Sequence, residues 1–142
     1  MMGKTKNKII SIILAITVVF SFQVVAFAAT TWSDAGTITL NRGTDWKRNT
    51  TTGVYIVNTK ETTSKDVTVY TVSKTMSSNP QFRMVNSNNS ARSGSFSMPS
   101  AGKQKTNSSN TGEKGYNYYA SVKAAWNQVS NNQSVRLQFK SH

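Results

Sequence analysis

Acid–base chemistry has little to draw on in this 142-residue chain. It holds one histidine, His142, its last residue, where fraying is expected. It holds five carboxylates: Asp34, Asp45, Glu61, Asp66 and Glu113. General acid–base catalysis needs two titratable groups in reach of one another, and glycoside hydrolysis needs a facing carboxylate pair. Here Asp34 and Asp45 flank one candidate strand, and Glu61 and Asp66 flank a polar connector. Such turn-rich settings suit solvating or turn-forming carboxylates. The absence of cysteine excludes a thiolate nucleophile and a thiolate zinc site. No calcium-loop, phosphate-loop or dinucleotide glycine pattern occurs. The expectation is a protein that is not an enzyme and uses no cofactor and no metal.

Binding chemistry is better supplied. Trp46 lies in Thr44-Asp45-Trp46-Lys47-Arg48, with Arg42 just upstream. An aromatic platform beside basic groups on a turn suits an anionic or ring-bearing partner. A loop tryptophan folding back over a sheet edge would use the same residues. A second basic set, Lys123, Arg136 and Lys140, falls in the C-terminal segment. These seven residues are the candidate binding set. Among the remaining aromatics, Tyr118 and Trp126 are expected to pack inward.

The location of that chemistry is written at the N-terminus. Lys4, Lys6 and Lys8 precede the apolar run Ile9 to Phe22, and Ala26-Phe27-Ala28 supplies the small residues of a signal-peptidase site. These three parts in this order make residues 1–29 a secretory signal peptide, cut after Ala28 or Ala29. An uncleaved anchor is the alternative, since the run is long enough to span a bilayer. Either way residues 30–142 are expected outside the cell, as one secreted domain. Loss of the three leader lysines leaves 14 basic residues against the five carboxylates, a formal charge of +9. Such a charge favours polyanionic partners: teichoic acid, anionic lipid, extracellular DNA or acidic polysaccharide. Nothing in the sequence specifies a nucleic acid.

The elements that must position these residues read as strands. Apolar and polar residues alternate over 36–40 and again over 81–86. Val54–Asn58 is apolar and β-branched, and Val67–Ser73, with apolar groups on both faces, suits an interior strand. Residues 93–98 form a weaker strand that Pro99 ends. Residues 100–115 hold Ser, Asn, Thr, Gly and Lys, and suit a mobile loop.

Residues 116–127 admit a helix or a strand. A turn at Asn131-Asn132 would pair them with 135–140, setting Trp126 against Leu137 and Ala124 against Phe139. The two apolar faces then coincide, which favours a hairpin. The same register sets Lys123 opposite Lys140. Seven short strands without an amphipathic helix predict an all-β fold, a small antiparallel sandwich, with a closed barrel as the alternative.

The lysine-led signal, the short Thr/Asn/Ser-rich strands, Tyr118-Tyr119-Ala120 and Val135-Arg136-Leu137 together resemble small exported proteins of Gram-positive bacteria, the lactococcin-like bacteriocins among them. The resemblance covers the general layout and the last 30 residues, and no functional residue is carried over from it. It implies antimicrobial activity as one alternative. The expectation from the residues themselves is a secreted, cationic, non-enzymatic protein that binds the anionic cell envelope.

Overall fold

The computed structural model describes residues 31–142. The signal peptide expected at 1–29 lies outside the described residues. Period-two alternation drives strand formation where it occurs: in β1 (Gly36–Leu40), Ile38 and Leu40 are fully buried while the alternating Thr37 and Thr39 are partly exposed. The remaining strands are β2 (Val57–Thr59), β3 (Val67–Lys74), β4 (Gln81–Val85), β5 (Phe96–Ser97), β6 (Lys103–Asn107), β7 (Asn117–Lys123) and β8 (Gln133–Lys140). They form two four-stranded sheets with orders β1-β8-β3-β6 and β2-β7-β4-β5, and every pairing is antiparallel. The described residues contain no helix. The sheets do not close into a barrel; they face one another across one core.

Ile38, Leu40, Val67, Val69, Val135, Leu137 and Phe139 line that core from the first sheet. Phe82, Met84, Phe96, Tyr118, Ala120 and Val122 line it from the second. Phe82 and Phe139 meet across the interface with ring centroids 5.7 Å apart. β3 is interior, paired with β8 on one side and β6 on the other, as its two apolar faces required.

The expected C-terminal hairpin does not form. β7 pairs with β2 and β4, while β8 lies between β1 and β3 in the opposite sheet. The matching apolar faces of the two segments are real, but they meet face to face across the core rather than side by side. Both arrangements bury Tyr118, Ala120, Val122, Val135, Leu137 and Phe139. The sandwich gives β7 and β8 each two hydrogen-bonded neighbours, whereas an isolated hairpin gives one. Trp126 is consequently not opposite Leu137. It sits in the loop that carries the chain between sheets and is 97% exposed. Lys123 and Lys140 lie on different sheets and do not face each other.

Residues 100–115 also differ from a continuous loop, because Lys103–Asn107 forms β6 on the edge of the first sheet. Four of its five residues are exposed, so its backbone bonds to β3, not its burial, hold it. Lysines on an edge strand discourage pairing with another chain.

The open edges are strapped. Lys47 exchanges backbone bonds with Val122, at 2.8 and 2.9 Å, and its Nζ reaches across to the carbonyl of Thr39 in the other sheet at 3.0 Å. Gly36 opens β1 where Ile56 crosses over it; a Cβ there would lie 2.6 Å from Ile56 Cγ1.

The C-terminus does not fray but is gripped. Asn58 Oδ1 accepts from both the N–H and the hydroxyl of the buried Ser141, at 2.7 and 2.6 Å. The fully buried Lys60 donates through Nζ to the carbonyls of Ser64, Ser141 and His142. Burial pulls the Lys60 ammonium below its ordinary range, with Asp66 opposing. The His142 ring bonds Thr68 Oγ1 at 2.8 Å. Burial first, then the charge of Lys140 and, least of all, that of Lys60 lower the His142 pKa from 6.5, with Asp66 opposing. The folded state therefore holds fewer protons than the unfolded chain just below pH 6.5. Stability from this group is complete above pH 6.5 and declines as pH falls from there through the folded pKa. Denaturant titrations across that window should show this loss in the wild type and its absence in His142→Gln.

Candidate functional site

The outer face of the second sheet gathers basic and aromatic side chains from three neighbouring segments. Lys47 points inward between the sheets, so backbone alternation turns Trp46 and Arg48 outward. On β7 the buried Tyr118, Ala120 and Val122 point in, which turns Tyr119, Ser121 and Lys123 out. On β4 the inward Phe82 and Met84 leave Arg83 outward, opposite Ser121 in register. The short hairpin closed at Gly53, with φ of 83°, brings Tyr55 back beside Asn49 and so next to Arg48.

Two stacks result. The Arg48 guanidinium carbon lies 4.4 Å from the Tyr55 ring centroid and 5.0 Å from that of Tyr119. Those two rings meet edge to face at 5.5 Å. Arg48 Nη1 also donates to the carbonyls of Ser87, at 2.8 Å, and Asn86, at 3.2 Å. Next along the face, the Arg83 guanidinium carbon lies 4.2 Å from the Trp46 ring centroid. Ser121 lies between the two arginine positions and is fully buried although its strand position faces out. Arg83 Nε and Ser121 Oγ have no hydrogen-bond partner. Desolvation lowers the Arg83 pKa, a direction that still leaves the group charged at neutral pH.

Carboxylates are scarce here. The only ion pair among the described residues joins Lys123 Nζ to Asp45 at 3.4 Å, with side chains 44% and 92% exposed. An exposed pair of this kind contributes little and yields readily to a competing anion. Neither Arg48 nor Arg83 has a carboxylate partner among the described residues. A guanidinium stacked on a ring is fixed in orientation, and its free N–H edge forms a planar fork for carboxylate or phosphate oxygens. Flanking rings add surface on which the flat face of a sugar or an acyl chain can lie.

The seven expected site residues therefore divide. Trp46, Arg48 and Lys123 share this face. Lys47 is spent on the strap to Thr39. Arg42 lies in the turn after β1, where its backbone N–H donates to Asn131 Oδ1 at 2.9 Å. Arg136 and Lys140 are on β8, on the outer face of the other sheet. There Lys140 Nζ sits 4.6 Å from the Trp32 ring centroid, and Trp32 meets Tyr70 at 6.1 Å. Arg136 borders a shallow cleft of about 230 Å³ with Thr37 and Thr51. The sandwich thus separates Lys123 from Arg136 and Lys140.

Arg83 was missed, as were the partnerships of Tyr55 and Tyr119 with Arg48. The signal for Arg83 was present in its alternation with Phe82 and Met84, which turns it outward. Its neighbour Trp46 is 37 positions away in sequence, and no local pattern brings the two together.

A separate polar cleft of about 310 Å³ lies at the end of this face, bordered by Asn86, Ser87, Arg92 and Glu113. It holds a single carboxylate. No protein-family model, no curated protein and no solved structure matches this chain.

Proposed function

We propose that this is a secreted, non-enzymatic protein that binds anionic polymers of the cell envelope through the outer face of the β2-β7-β4-β5 sheet. The observation that carries the reading is the pair of ring-stacked guanidiniums, Arg48 on Tyr55 and Tyr119 and Arg83 on Trp46, neither with a carboxylate partner among the described residues. A cation held on a ring and left without a counter-ion is organised for an anion that the chain does not supply. Wall polymers of repeating phosphate or carboxylate groups match two such forks on one face. The excess of basic residues, 17 against five acidic in the whole chain, supports the same partner through long-range attraction. The leader sequence supports a location where that partner is met.

Cosedimentation with isolated Gram-positive cell walls tests the proposal. Binding should be strong at low salt and weaken steadily as ionic strength rises past the point where exposed charges are screened, at about 0.1 M. Binding indifferent to salt, or no binding at any salt, overturns it.

A further inference from the structure

At one end of the sandwich two large apolar side chains stand free of the protein. Trp126 is 97% exposed and Val129 80% exposed, both in the loop between β7 and β8. Displaying them leaves apolar surface in water. It is well anchored. Gln128, buried between the two, donates through Nε2 to the carbonyls of Leu40, at 3.3 Å, and Ser130, at 3.1 Å. Ala124 N–H donates to Thr44 O at 3.2 Å, and Asn132 N–H to Asn41 Oδ1 at 2.9 Å. The tip is thus a fixed projection on a rigid base, and ordering it on contact with a partner costs little.

The carboxylates of the molecule are sorted along the same axis, whereas basic residues lie at both ends, Lys60, Lys65, Lys114 and Lys140 at the remote one. Strand direction places Asp34 before β1, Glu61 after β2, Asp66 before β3 and Glu113 before β7, all at the end remote from this tip. The tip end holds one carboxylate, Asp45, already paired with Lys123. It also carries Arg42, on the turn that binds the loop, together with Lys74 and Lys103.

An indole and a small aliphatic group on a rigid projection, backed by basic residues and remote from the carboxylates, have the chemistry of an interfacial membrane anchor. Tryptophan favours the headgroup level of a bilayer, where its ring is half buried and its N–H stays wet. Basic residues near the surface of an anionic leaflet are each attracted to it. We propose that the β7–β8 loop inserts Trp126 and Val129 into the interface of an anionic lipid bilayer, docking the sandwich end-on. This site is distinct from the arginine face and shares with that reading only the anionic character of the partner.

The test uses the protein purified from its native source, vesicles of phosphatidylcholine with and without phosphatidylglycerol, and tryptophan emission alongside sedimentation. Wild type should partition onto the phosphatidylglycerol vesicles with a blue shift, and much less onto phosphatidylcholine alone. Trp126→Ala should weaken partition on the order of tenfold, the effect of withdrawing one large apolar side chain, and remove most of the shift. Val129→Asp should weaken it as well, and both variants should unfold at the wild-type denaturant concentration, since neither side chain packs in the core. Equal partition of wild type and Trp126→Ala overturns the proposal, as does equal binding to both vesicle types. If Trp126→Ala instead turns an oligomer into a monomer in lipid-free buffer, the tip contacts a second copy of the chain and the proposal also falls. The Arg48→Gln/Arg83→Gln double variant should keep its vesicle partition while losing wall binding, so that failure of either site is read separately.

Discussion

Arg48→Gln combined with Arg83→Gln is expected to lower affinity for isolated cell walls on the order of a hundredfold at low salt. Each arginine offers charge-assisted hydrogen bonds to an anion, and such bonds contribute about 1.5–3 kcal/mol apiece. About 1.4 kcal/mol corresponds to a tenfold change, so one lost fork at each position gives two factors of ten. Glutamine keeps a polar, planar head and much of the packing over Tyr55, Tyr119 and Trp46, so the loss is assigned to charge and fork geometry. The salt dependence should flatten in the double variant, because fewer charges meet the polymer. Arg48 also ties the Asn86–Ser87 turn through its two carbonyl bonds. Some stability will therefore be lost, about 1 kcal/mol for a typical net hydrogen bond. Lys123→Gln is the check on that, since it removes a charge from the same face at an exposed position. It should reduce wall binding a few-fold and leave unfolding unchanged. Retention of full wall affinity by the double variant would remove this face from consideration.

Phe82→Ala should be the most damaging single substitution for the fold, costing about 3–5 kcal/mol. Phe82 is fully buried at the centre of the core. It meets Phe96 edge to face at 5.4 Å within its own sheet and Phe139 at 5.7 Å from the other. Alanine would leave a void that both sheets border, and neither can close on it without shifting its strand register. Domains of this kind have about 5–15 kcal/mol of total stability, so the change consumes a large part of it. Without a disulfide, nothing covalent offsets the loss. Equilibrium urea unfolding should show a lower midpoint with an unchanged slope, and Phe82→Leu, which retains most of the volume, should fall between the two. A midpoint near that of the wild type would mean that the sheets are held by something other than this cluster.

Much of the architecture was legible in residue pattern. β1, β3 and β4 were readable because alternating or β-branched runs bounded by turn residues leave little else to form. The inward placement of Tyr118 followed from the same alternation. β6 was not legible: Lys103–Asn107 contains no apolar residue, and its strand state comes from an edge that β3 offers. The gripping of His142 was also invisible, because Asn58, Lys60 and Thr68 are distant in sequence and meet the C-terminus only once the sheets are assembled.

The C-terminal segments carry the plainest lesson. The pattern of residues settled that 117–123 and 133–140 each have one apolar face, and it settled the excess of positive charge. It could not say whether those faces lie side by side or look at each other across a core, since the apolar residues of both strands are buried in either case. Hydrogen bonding broke the tie by giving each strand two partners in separate sheets. That choice sent Lys123 away from Lys140, brought Arg83 to Trp46, and pushed Trp126 from the interior to the outermost point of a loop. Local chemistry is written in the order of residues, whereas the meeting of residues far apart depends on which backbone edges pair.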